Sequence, residues 1–76
     1  LDVKSYLQQL IQAQGEPPPR YQLVSAKGPD HDRRFTMAVV AGDKTLAVGE
    51  GKSKQEAEKA AAAAALREMG ALGQDG

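Results

Sequence analysis

Three consecutive prolines, Pro17-Pro18-Pro19, stand where the hydrophobic rhythm of the chain changes, and they rule out any fold that runs a helix or a central strand through them. Successive prolines lack amide donors and hold the backbone extended, so the segment reads as a short stiff connector. Before it, Val3, Tyr6, Leu7, Leu10 and Ile11 recur at the i, i+3, i+4, i+7 spacing of one buried helical face. Asp2 suits the N-cap of that helix and Gly15 its C-terminal stop. After the prolines the period falls to two, with Tyr21 and Leu23 alternating against Gln22, then Phe35, Met37 and Val39 against Thr36 and Ala38. A third strand is expected at Thr45 to Val48, joined through Gly42-Asp43, a pair suited to a tight hairpin.

The last periodic segment starts at Ser53, where Glu56 three residues later completes a capping-box pattern, so a helix is predicted from the lysines onward. Ala57, Ala61, Ala65 and Met69 stack on one side of it with Leu66 flanking them, and such small residues let a helix lie close to a sheet. The order helix, three strands, helix implies an α+β fold: a two-layer α-β-β-β-α sandwich with both helices on one face of a three-stranded antiparallel sheet. Residues 1–69 form the expected domain, and 70–76 a flexible C-terminal tail.

A chain of 76 residues has room for one small domain and excludes a multidomain enzyme. Ten basic and ten acidic residues cancel, so any binding of a polyanion must come from local arrangement rather than bulk attraction. The absence of cysteine excludes a disulfide frame and a thiolate metal site, and fits a reducing, cytoplasmic setting. No apolar run approaches the roughly 20 residues that span a bilayer, so no membrane association is expected. The chain opens on Leu1 without a signal-peptide pattern and is expected to be a piece of a longer protein.

The stretch GEGKSKQEAEKAAAAAAL, residues 49–66, raises the question of a nucleotide loop. A Walker loop ending at Gly51-Lys52-Ser53 would need glycine at position 46, where Leu46 stands, and it would follow a parallel strand in a larger sheet. Phosphate chemistry survives in another form: a helix start carries unpaired amide donors and about half a positive charge, and Lys52 and Lys54 flank this one. Taken alone, two solvated lysines at a capped terminus are an ordinary surface.

Two further segments change that balance. The first helix carries Ser5, Gln8, Gln9 and Gln12 opposite its apolar stripe, and uncharged groups that both donate and accept suit ribose 2′-hydroxyls and base edges in a shallow RNA minor groove. By itself a glutamine-rich face needs no ligand. In GPDHDRRF, Pro29 stiffens a loop whose His31 can reach into a groove, and Arg33-Arg34 follow. No nucleophile or orienting partner for a catalytic histidine is identifiable, and the adjacent Asp30-His31-Asp32 are poorly placed to converge on one metal ion.

Together these pieces resemble a double-stranded RNA-binding domain, most closely the carboxy-terminal one of bacterial ribonuclease III, over about Asp2 to Met69. The resemblance rests on DVKSYLQQ, PPRYQLVSAKGPDHDRRF and GEGKSKQEAEKAAAAAAL. It implies that Ser5, Gln8, Gln9 and Gln12 lie in one minor groove and that Pro29 and His31 enter the next. Lys52, Ser53, Lys54 and Gln55 would face phosphates across the intervening major groove. The implied partner is double-stranded RNA, read by shape over about 16 base pairs. The fragment itself is then neither an enzyme nor a cofactor site. Its parent would be a magnesium-dependent endoribonuclease whose separate nuclease domain can homodimerise. Many members carry lysine where this chain has Gln55 and Glu58, although Glu58 is common in the ribonuclease III branch, and Lys59 offers partial compensation. Two other readings stay open: a module of this fold that pairs with proteins, and a duplex-binding domain of another RNA-acting protein such as a deaminase or kinase.

Overall fold

The computed structural model describes residues 1–72, with helix α1 over Val3–Ala13, strands β1 over Arg20–Lys27, β2 over Arg34–Ala41 and β3 over Lys44–Gly51, and helix α2 over Lys54–Glu68. A single 3-10 turn, Asp30–Asp32, interrupts the β1–β2 connection. The sheet is antiparallel in the order β1-β2-β3, and the element order is the predicted α-β-β-β-α.

Local signals set the ends of the helices. The Asp2 carboxylate accepts hydrogen bonds from the Lys4 and Ser5 amides at 3.1 and 3.2 Å, satisfying donors that the first turn leaves unpaired. At the far end of α2, Gly70 has φ +74°, and the Gly70 and Ala71 amides donate to the Arg67 and Leu66 carbonyls at 3.0 and 2.9 Å. This is the Schellman arrangement, which turns the chain back across the helix end. Two expectations change as a result. Met69 becomes the C-cap and is 39% exposed, so it does not extend the buried alanine stripe. The packed chain also reaches past Met69, because Ala71 and Leu72 lie against the core. Of the expected tail, 73–76 fall outside the described residues.

In the sheet, Tyr21 pairs with Val39 and Val39 with Ala47, while Leu23 pairs with Met37 and Met37 with Gly49. The core joins this side to both helices through Leu7, Ile11, Val39, Ala61, Ala62, Ala65 and Leu66. Burying these side chains drives the collapse, at about 25 cal/mol per Å² of apolar surface removed from water. In the central strand Ala38 and Val40, which alternate with the helix-facing residues, are also buried because strands flank them on both sides.

β3 runs three residues past the expected Val48, through two glycines that have weak strand propensity. The cause is tertiary. A Cβ at Gly49 would collide with the α2 backbone at Ala60 and Ala61, and one at Gly51 would come within 2.7 Å of the Ala57 nitrogen. The glycines of GEGKSK therefore let an alanine-faced helix rest directly on a strand, which places the cationic start of α2 beside the end of β3.

Candidate nucleic-acid interface

On α1 the burial of Leu7 and Ile11 turns Ser5, Gln8, Gln9 and Gln12 outward, and all four are exposed. The stripe is partly ordered by its own hydrogen bonds: Gln8 Nε2 donates to Gln12 Oε1 at 3.3 Å, and the Ser5 hydroxyl to the Asp2 carboxylate at 2.9 Å. The Ser5 amide and hydroxyl, the Lys4 amide and the charge of Lys59 outweigh the little desolvation at Asp2 and hold its carboxyl below the usual range. Because Gln8 and Gln12 hold each other, two amides are already arranged before any ligand arrives.

The β1–β2 connection is stiffened more than its sequence indicates. Pro29 caps the 3-10 turn, and the Asp32 amide donates to the Pro29 carbonyl at 3.0 Å. Arg33 is spent on the loop itself, donating to the Gly28 carbonyl at 3.3 Å and lying 3.9 Å from the Asp30 carboxylate. It braces the loop, while Pro29 and His31 remain exposed.

At the start of α2, Ser53 is the N-cap, its Oγ accepting from the Glu56 amide at 3.0 Å. That bond holds the hydroxyl in the capping role, and Lys52, Lys54 and Gln55 stand exposed around it. A cation before the helix and another in its first turn thus accompany the positive end of the helix dipole.

Two features link the elements that carry these three segments. A shallow cavity of about 300 Å³, lined by Asp30, His31, Asp32, Arg33, Phe35 and Lys52, brings the loop tip against the approach to α2. One turn into α2, Lys4 of α1 meets Glu58 with Nζ 2.5 Å from Oε1, and the same ammonium lies 4.7 Å from the centroid of the Tyr21 ring. Burial pushes the Tyr21 phenol up from its ordinary value, with the Glu58 and Asp2 carboxylates adding to the effect. Neither the Lys4–Glu58 pair nor the cavity shared by His31 and Lys52 shows a spacing that sequence periodicity could have revealed. Lys4 and Glu58 are 54 positions apart.

Among the described residues no group of three or more His, Asp or Glu side chains is arranged to hold a metal ion. No helix among them is long and apolar enough to cross a membrane.

The family described as double-stranded RNA binding motif matches residues 3–69, a span that contains all three segments. The chain belongs to that family. Relatives among characterised bacterial proteins include ribonuclease 3 of Dehalococcoides mccartyi, 47% identical over 69 residues, and ribonuclease 3 of Bacillus cytotoxicus, 48% identical over the same length. Each alignment covers 91% of this chain but only 29% and 28% of the relative, so the chain spans less than a third of the proteins it matches. Among solved structures, Arabidopsis HYL1, described in connection with miRNA processing, superposes with a TM-score of 0.76 at 33% identity, covering 90% of this chain and 96% of that one. Dicer from Pichia stipitis gives a TM-score of 0.71 at 26% identity, covering 87% of this chain and 32% of that one. As a double-stranded RNA binding motif, the chain is a binding domain rather than a catalytic one.

Proposed function

We propose that this domain binds double-stranded RNA by the shape of the A-form helix and serves as the RNA-holding part of a ribonuclease III-type endoribonuclease. In this reading Ser5, Gln8, Gln9 and Gln12 lie in one minor groove, Pro29 and His31 in the next, and Lys52, Lys54 and Gln55 face the phosphates between, with Ser53 ordering the helix start. Amides and a hydroxyl suit 2′-hydroxyls and base edges, and two lysines at a helix start suit phosphate. The single observation that carries the reading is the linkage of the elements that bear the segments, with Lys52 sharing a cavity with His31 and Lys4 of α1 meeting Glu58 of α2. Cleavage, the magnesium it requires and homodimerisation belong in this proposal to a separate nuclease domain of a cytoplasmic RNA-processing enzyme. Its kinship with bacterial ribonuclease 3 supports that assignment.

Titrating a labelled RNA duplex of about 20 base pairs, long enough for the roughly 16 that such domains span, tests the proposal. Saturable binding that weakens as salt is raised is expected. Failure to bind at either low or moderate salt overturns it and favours a module that pairs with proteins.

A further inference from the structure

We propose that the Lys4–Glu58 ion pair seated on Tyr21 positions the polar stripe of α1 relative to the lysines at the start of α2, making Lys4 and Glu58 positioning residues of the RNA-binding surface. The inference rests on the duplex-binding reading above and deepens it. Lys4 directly precedes Ser5 and lies one turn before Gln8, while Glu58 lies one turn after Lys54. The pair therefore links the first turn of the groove-facing stripe to the turn behind the phosphate-facing cations. α1 rests chiefly on α2 rather than on the sheet, so a contact between the two helices governs where the stripe sits. The side chains of Lys4 and Glu58 are only 37% and 22% exposed, and the ammonium is further confined by the Tyr21 ring 4.7 Å away, so the geometry is shared by α1, α2 and β1.

Charge alone makes the opposite prediction, and this allows a test. Glu58 is a carboxylate one turn from Lys54, on a surface that meets a polyanion. If it acted only through its field, removing the charge would strengthen RNA binding. Glu58→Ala and Glu58→Gln delete the same charge, but glutamine retains an oxygen that can accept from Lys4 Nζ. If the pair sets the spacing, E58A binds an RNA duplex of about 20 base pairs about fivefold more weakly than wild type, in the range of contact-pair couplings, while E58Q stays within about twofold. Both variants should keep the salt slope of the wild type, because Lys52 and Lys54 are untouched. Equal or tighter binding by E58A, or the same change in both variants, overturns the proposal. Thermal melts run alongside show whether each variant is folded at the assay temperature. If E58A is not, Glu58→Met, which keeps the side-chain length but removes both the charge and the acceptor, replaces it under the same criterion, with equal or tighter binding overturning the proposal. Wild-type protein that fails to bind any duplex would overturn the RNA reading itself, and the positioning role with it, an outcome distinct from binding that E58A does not weaken.

Discussion

Gly49 and His31 represent opposite kinds of residue in this chain, one fixed by packing and one left outward. At Gly49 any side chain must displace the α2 backbone at Ala60 and Ala61, which cannot rotate aside as a flexible side chain could. Gly49→Ala should cost about 3 kcal/mol, the upper part of the usual range for overpacking. In a domain this small that lowers the melting temperature by 10 °C or more, at roughly 4–8 °C per kcal/mol, as followed by circular dichroism. His31 is exposed on a turn held by the Asp32 to Pro29 hydrogen bond and braced by Arg33. His31→Ala should therefore leave the melting temperature within about 4 °C while lowering affinity for duplex RNA several-fold, since exposed substitutions rarely exceed about 0.5 kcal/mol in stability. A large drop in melting temperature would mark His31 as a structural residue instead. The candidate site residues were legible as types in their settings, an exposed amide stripe and cations at a helix start, and the structure bears out that exposure. The reason for Gly49 was not, because it depends on the close approach of Ala60 and Ala61, 11 and 12 positions later in the chain.

Elements were legible where their ends are written locally. Asp2 caps α1, Ser53 caps α2, Pro17–Pro19 separate helix from strand, and Gly42-Asp43 join β2 to β3, each through a short-range preference of the backbone. The departure falls where an element is shaped by a neighbour: β3 extends through Gly49 and Gly51 because α2 covers it. The 3-10 turn in the β1–β2 connection also went unanticipated, because its stiffening comes from Arg33 reaching back to Gly28. The cap of α1 gives an element-scale prediction. Asp2 has a depressed folded pKa, so its contribution is present above the ordinary value of 3.8 and is lost as pH falls through the lower folded value. Asp2→Ala should melt at lower temperature than wild type at neutral pH, and the gap should narrow as melts are repeated at pH values progressively below 3.8. A gap that stays constant into acid would show that the cap does not act through its charged form.

For the whole molecule, zero net charge means that no long-range positive field gathers RNA, so affinity must come from where the cations and amides stand. In the proposed reading Lys54 carries part of that burden. Lys54→Ala should weaken binding to all duplex sequences alike and reduce the slope of log affinity against log salt by about 0.9, the value for one phosphate contact on B-form DNA. An unchanged slope would remove Lys54 from the phosphate contacts. The remaining affinity should come from groove shape, which a change of nucleic acid can test without touching the protein. A DNA duplex of the same sequence keeps the phosphates but loses the 2′-hydroxyls and the wide, shallow minor groove of the A-form, so the amides of Gln8, Gln9 and Gln12 would lack their partners. DNA should then retain only a weak, strongly salt-dependent attraction to Lys52 and Lys54, and most of the affinity measured with RNA should vanish at moderate salt. If DNA bound as tightly as RNA, the lysines alone would account for recognition, and the polar stripe of α1 would be an ordinary solvated helix face.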